Sequence, residues 1–208
     1  MPSRPASVFA ALAILGATIS LSAQQVAASA RLVRAEGRVT LNGQPVPAGA
    51  ATVTLGEVTD LQTTEGRVVI ALKGGGTFVL GANTSARVHA NRVYNFNRIE
   101  ILTGSAVLLS ASSSPQVDCG TSARLSSGGV FRFDVLAAER MDGSQRCRVR
   151  VYEGGASTPG VTVSYVLRDG QEMIMNTRAG DMIPVSPVPA GVLDDLDRWA
   201  REQAVSSR

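Results

Sequence analysis

The sequence predicts an all-β chain, an antiparallel β-sandwich or roll, with one short amphipathic helix at its C-terminal end. Three observations lead there. From Arg31 to about Val185 the apolar residues come in short alternating runs, the period of a half-buried strand, separated by Gly, Asn and Asp. The chain has 21 glycines and only 4% aromatic residues, so a core of Val, Leu, Ile and Ala is interrupted by many tight turns. Helical spacing begins only after Pro184, Pro187 and Pro189.

The chain has 208 residues, 44% of them hydrophobic and 18% charged. That excludes wholesale disorder and suits one domain with a tail. A chain of this size buries roughly 70% of its unfolded surface, enough to fold without a metal. Residues 1–23 read as a secretory signal: Arg4, an apolar run from Val8 to Leu21, then Leu21-Ser22-Ala23 as a small-residue cleavage site. Ala28 and Ala30 are alternative cleavage points. The run is shorter than the roughly 20 residues a membrane span needs. The expectation is a periplasmic or secreted protein with no membrane span after cleavage. Residues 31–185 would form the β domain, and 186–208 a proline-rich linker and helix.

The elements follow in order. Ala30–Leu41 reads as one strand, with Leu32, Arg34 and Glu36 on one face and Val33 and Ala35 on the other. Asn42-Gly43 is a two-residue hairpin turn, and Gln44–Pro47 pairs back as an edge because of its prolines. Gly66–Leu72 and Thr77–Leu80 flank a Lys73-Gly74-Gly75-Gly76 turn. Ala86–Ala90, Ile99–Leu102, Ala106–Ser110, Val117–Arg124, Val130–Leu136 and Arg146–Tyr152 are further strands. Val161–Leu167 and Gln171–Asn176 flank Arg168-Asp169-Gly170. Val192, Leu193, Leu196, Trp199 and Ala200 then recur at helical spacing. A helix over Val192–Gln203 would dock Trp199 on the sheet. Asp194, Asp195 and Asp197 mark its start, with Asp194–Arg198 and Asp197–Arg201 as i,i+4 pairs. A glycine phrase precedes a strand at Gly37, Gly66, Gly104 and Gly154. The spacings of 29, 38 and 50 residues argue against a strict solenoid.

Alternation puts Cys119 with Val117, and Cys147 with Val149 and Val151, on core-facing sides. In an exported protein such a pair is expected to form a disulfide; two buried thiols are the alternative. The opposite face of Arg146–Tyr152 carries Arg146, Arg148 and Arg150, with Arg132 a cross-strand candidate. It reads either as a contact for an acidic partner or as a solvated sheet face. Lys73 is the only lysine among 20 basic residues.

Chemistry is sparse. The net charge is +3, too small for a protein that neutralises many phosphates, so no nucleic-acid partner is expected. His89 is the only histidine, and no Gly-x-Ser-x-Gly elbow surrounds a serine. Lys73-Gly74-Gly75-Gly76-Thr77 has phosphate-loop residue types in the wrong order. Two cysteines and one histidine cannot complete a structural zinc site without carboxylates. Asp118 and Glu153 are the acids worth locating as a carboxylate pair. No enzyme activity, cofactor or metal is expected. Tyr94 and Phe96 are candidates for stacking on a glycan, or for a loop that tucks its aromatics into the core.

The order of phrases carries a further signal. Val33-Arg34-Ala35-Glu36-Gly37-Arg38-Val39 is followed by Leu61-Gln62-Thr63-Thr64-Glu65-Gly66-Arg67-Val68. Then come Lys73-Gly74-Gly75-Gly76-Thr77-Phe78-Val79-Leu80-Gly81-Ala82-Asn83-Thr84-Ser85, Ile101-Leu102-Thr103-Gly104-Ser105-Ala106-Val107 and Val149-Arg150-Val151-Tyr152-Glu153-Gly154. Arg168-Asp169-Gly170-Gln171-Glu172 closes the series. Over about Arg31–Thr177 this resembles the FecR-type extracytoplasmic domain. The resemblance implies an all-β periplasmic domain without catalytic residues. In full regulators of that family it follows a cytoplasmic anti-sigma segment and a membrane span, and relays a signal from an outer-membrane receptor. This sequence reads without those preceding parts. Ser127-Gly128-Gly129-Val130-Phe131 replaces the family's Gly-Thr before its Phe strand, and the cysteine pair is a local addition. The expected role is a non-catalytic interaction or signalling module of the cell envelope with an envelope protein as partner. A carbohydrate- or peptidoglycan-binding protein is the alternative.

Overall fold

The computed structural model describes residues 30–47, 49, 52–90, 97–110, 115–126, 128–136, 145–159, 164–176 and 185–206. The strands are β1 (Ala30–Glu36), β2 (Val39–Leu41), β3 (Gln44–Val46), β4 (Val53–Thr54), β5 (Val58–Thr63), β6 (Arg67–Leu72), β7 (Thr77–Leu80), β8 (Ser85–Ala90) and β9 (Asn97–Thr103). They continue as β10 (Ser105–Leu109), β11 (Gln116–Cys119), β12 (Thr121–Leu125), β13 (Val130–Leu136), β14 (Arg146–Glu153), β15 (Gly155–Pro159), β16 (Ser164–Arg168), β17 (Gln171–Asn176) and β18 (Ser186–Pro187). One helix, α1 (Asp195–Ser206), follows.

The strands form two sheets that pack face to face. The first runs β18-β17-β14-β13-β10-β7-β6-β1-β4 and the second β16-β15-β12-β11-β9-β8-β5-β2-β3. Pairing is antiparallel except between β9 and β11, which run parallel. Away from its N-terminal end, the chain visits positions along each sheet in sequence order. Between the sheets lies a core of aliphatic residues with three fully buried phenylalanines, Phe78, Phe131 and Phe133. The all-β sandwich expected from the alternating runs is therefore present, with its single C-terminal helix.

The four glycine phrases are corners. At Gly37, Gly66, Gly104 and Gly154 the chain leaves one sheet and enters the other. Gly37 has φ +67, and a Cβ there would lie 2.6 Å from the Glu65 carbonyl oxygen. A Cβ on Gly66 would meet the Glu36 carbonyl at 2.3 Å, so these two corners stack backbone on backbone. Gly104 is a one-residue corner between β9 and β10 with φ +81, and its Cβ would fall 2.4 Å from Thr84 Oγ1. Gly104→Ala combines a strained backbone with this close approach. It is expected to cost about 2 kcal/mol, read as a lower urea midpoint with an unchanged slope. An unchanged midpoint would refute the tight corner.

Several boundaries differ from the sequence reading. The expected strand Ala30–Leu41 is two strands, because the Gly37 corner sends its second half into the other sheet. Its face assignment also shifts. A bulge between Leu32 and Arg34 moves the phase by one, so Leu32 and Ala35 are both buried while Arg34 is exposed. Val117–Arg124 is likewise split, by Gly120 with φ +78. Strand β5 lies outside the strands read from apolar runs because its inward residues are Thr59, Leu61 and Thr63. Two threonines facing the core hide the period. The helix starts at Asp195 rather than Val192. Asp194 caps it, its Oδ1 accepting from the Leu196 and Asp197 amides at 2.9 and 3.1 Å. Asp197 Oδ2 accepts from the Asp194 amide at 3.1 Å, completing a capping box.

Candidate interaction surfaces

The outer face of the first sheet carries a valine stripe. Val69, Val79 and Val107 stand in register on β6, β7 and β10. Helix α1 covers it with Leu196 and Ala200, Trp199 packing at the margin. Gly81 leaves the notch for Leu196, since a Cβ there would sit 2.8 Å from Leu196 Cδ2. The Arg67 guanidinium lies 5.4 Å over the Trp199 ring. Arg34 donates to Gln203 Oε1 at 3.1 Å. Trp199 thus meets the sheet as the helical spacing implied.

A charge network locks the front of this helix. Arg132 is only 5% exposed. Its Nε donates to Asp134 Oδ1 at 2.8 Å, and its two terminal nitrogens grip both Asp194 oxygens at 3.0 and 3.1 Å. Nη1 also reaches Asp197 Oδ1 at 3.2 Å. The Tyr152 hydroxyl donates to Asp197 Oδ2 at 3.1 Å. Asp134 accepts further bonds from Ser105 Oγ at 2.7 Å and Arg150 Nη1 at 2.9 Å. Arg150 Nε donates to Glu172 at 2.9 Å. Burial alone would lower the Arg132 pKa, but Asp134, Asp194 and Asp197 outweigh it and hold the guanidinium above its usual value. Burial, reinforced by Asp197, pushes the Tyr152 hydroxyl up to about 12. Burial would raise the Asp194 carboxyl, yet its bonds to Arg132 and the helix amides hold it below the usual carboxylate range.

Two of the four arginines of the expected face are already engaged within the molecule. Arg132 is covered by the helix, and Arg150 spends its charge on Asp134 and Glu172. Arg146 and Arg148 lie half-buried on the same side of β14. Asp194 and Asp197 pair with Arg132 rather than with Arg198 and Arg201. Arg198 pairs with Asp195, and Arg201 with Glu153.

The outer face of the second sheet is a polar ladder. Asp60, Arg87, Glu100 and Asp118 stand opposite one another on β5, β8, β9 and β11. Arg87 pairs with Asp60 at 2.7 Å and with Glu100 at 3.9 Å. Arg98 pairs with Asp118 and Glu100. His89 lies 3.1 Å from Glu100. Bonds from Gln116, Ser122 and Arg98 hold the Asp118 carboxyl low against burial. Asp118 belongs to this sheet and Glu153 to the other, each with its own arginine. Among the described residues no group of three His, Cys, Asp or Glu could hold a metal ion.

Cys119 and Cys147 form a disulfide with Cα atoms 5.6 Å apart. Alternation turned both cysteines inward. What joins them is the sandwich, since β11 and β14 belong to opposite sheets. Both residues are fully buried. Tyr94 and Phe96 lie outside the described residues, as does the segment 1–23.

The sheets end in four edge strands. β3 has three residues including Pro45, β4 has two, and β18 has two including Pro187. Short strands and prolines blunt an edge. β16 has five residues without proline, and its Val166 is 58% exposed. Its inward Leu167 is buried. β16 pairs with β15 in the register Pro159↔Ser164, Ser157↔Val166 and Gly155↔Arg168. Pro159 has no N–H to exchange with Ser164, and the Arg168 amide donates instead to Gln171 Oε1 at 2.8 Å. Alternate residues of an antiparallel pair face the partner strand. Ser164 and Val166 therefore turn their N–H and C=O groups away from β15. Among the described residues nothing pairs with that side.

No family model matches the chain, and no curated protein matches it. Two crystal structures of a putative anti-sigma factor from Parabacteroides distasonis are similar in fold. One superposes with a TM-score of 0.51 at 16% identity, over 64% of this chain and 61% of that one. The other gives 0.50 at 15% identity, over 63% and 60%. The match spans about three fifths of their length.

Proposed function

We propose that this chain is an exported, FecR-like, non-catalytic signalling module of the cell envelope that captures a protein partner by strand addition to β16. The open main-chain edge carries the reading. Three of the four edges are shortened or closed by proline, while β16 offers N–H and C=O groups that no described residue pairs with, beside an exposed valine. Several observations support the setting. Over about 64% of the chain the fold is similar to that of the two crystal structures of a putative anti-sigma factor. The buried disulfide suits an oxidising compartment, and residues 1–23 read as an export signal. Among the described residues no helix is long and apolar enough to cross a membrane. In this reading residues 31–185 form the capture domain and 186–208 strap it.

The test is in-cell crosslinking of tagged full-length protein, followed by capture from the envelope fraction and mass spectrometry. One recurrent envelope protein is expected. Its recovery should fall at least fivefold in Val166→Pro, and its crosslinks should map to β16. Cell-wall glycan without protein would overturn the reading. So would recovery from the cytoplasm with the first 23 residues intact.

A further inference from the structure

The charge pattern around β16 says what kind of strand it takes. On the outer face of the second sheet, Arg87 and Arg98 are neutralised by Asp60, Glu100 and Asp118. The pattern changes toward the edge. Arg124 on β12 and Arg168 on β16 are exposed, and among the described residues neither pairs with a carboxylate. Arg124, Ser157 and Val166 stand opposite one another across β12, β15 and β16. Between Arg124 and Val166 lies a shallow hollow of about 300 Å³ floored by Gly155, Ala156 and Ser157. Among the described residues the edge thus offers unpaired main chain, one apolar knob and the Arg168 guanidinium, with Arg124 two strands inward on the same face.

We infer that the partner segment is an extended acidic strand, with an apolar side chain opposite Val166 and a carboxylate opposite Arg168, drawn in by the positive field that Arg124 adds on the same face. This rests on the strand-addition reading above. Directly opposed residues on paired strands interact most strongly. A carboxylate two residues from the apolar position lands opposite Arg168 on the same face. Arginine grips a carboxylate with two parallel hydrogen bonds, which fixes register as well as charge. A basic segment would put like charge directly beside Arg168 and be rejected.

The experiment uses the mature protein and four synthetic peptides. They are a Val-Thr-Glu-Thr repeat, whose Val and Glu stand two residues apart on one face, its Val-Thr-Gln-Thr and Val-Thr-Lys-Thr counterparts, and the first of these N-methylated at alternate amides; they are named Val-Glu, Val-Gln and Val-Lys for their two same-face residues. The inference expects the Val-Glu peptide to bind at least tenfold more tightly than Val-Gln, and Val-Lys not to bind. Affinity should fall at least tenfold in Arg124→Glu/Arg168→Glu, and weaken with salt. Equal binding of Val-Glu and Val-Gln, unchanged in that variant but lost on N-methylation, would overturn the acidic preference and leave strand addition standing. Binding indifferent to N-methylation, or no binding by any peptide, would overturn both. A mature protein that dimerises until Val166→Lys is introduced would make a second copy the occupant and overturn the inference. Near-UV circular dichroism of each variant shows that it is folded.

Discussion

Replacing Cys119 and Cys147 together by alanine is expected to lower the unfolding free energy by about 3 kcal/mol. The bond joins residues 28 apart in sequence, and a closed loop of that size removes roughly this much unfolded-chain entropy. At roughly 2–4 °C per kcal/mol for a chain of this length, the melting temperature should fall by about 6–12 °C. The bond also ties two sheets that share no main-chain hydrogen bond at that point. The loss should therefore appear in the β11 and β14 amides first, as faster hydrogen exchange. Because both residues are fully buried, reductant should leave the folded protein oxidised and act only in denaturant. A melting shift below about 2 °C would mean that core packing alone holds the sheets together.

Arg132→Met is expected to cost about 3–5 kcal/mol, because it strands Asp197, only 2% exposed, without its cation. Arg132→Lys should recover little, since a point charge cannot reproduce the two-pronged grip on Asp194. Asp194 has a half-exposed side chain, so Asp194→Asn, which keeps the cap but loses the charged grip on Arg132, should cost about 1 kcal/mol. The local readout is Trp199, the only tryptophan in the chain. Its emission should shift to longer wavelength as the helix lifts. The same readout fixes the sign with pH. The Asp194 pKa is lowered in the folded state. Its contribution is therefore complete above the ordinary carboxylate pKa, near about 4, and disappears as pH falls through the folded value. Acid should release α1 before the sandwich unfolds. A tryptophan signal that changes only with global unfolding would show that helix and sandwich form one cooperative unit.

Some of this was legible in the sequence because it is local. Cys147, Val149 and Val151 alternate with arginines, and that period is enough to turn the cysteines inward. The helix could be read from Leu196, Trp199 and Ala200, and its start from a run of aspartates. The partners were not legible. Arg132 meets Asp194 and Asp197 more than sixty residues away, and no period records such a distance. An arginine in an alternating strand reads as a surface residue until a helix is laid over it. Thr59 and Thr63 failed in the opposite sense, since polar residues that face the core erase the signal the pattern relies on. The β16 edge needed the whole topology. Its openness among the described residues is a property of the sheet order, which places β16 last, beyond β15.

The order in which strands occupy the sandwich also bears on how the chain is made. Positions along both sheets follow the sequence, so β5 to β10 can close over one another before β13 to β18 have appeared. A nascent chain emerges N-terminus first. This one can build its layers as they arrive, each new hairpin adding to a finished edge. The cysteine bridge and the helix clasp both come from the last half, so they seal a body already largely assembled. β16, the edge left open, is among the last strands laid down.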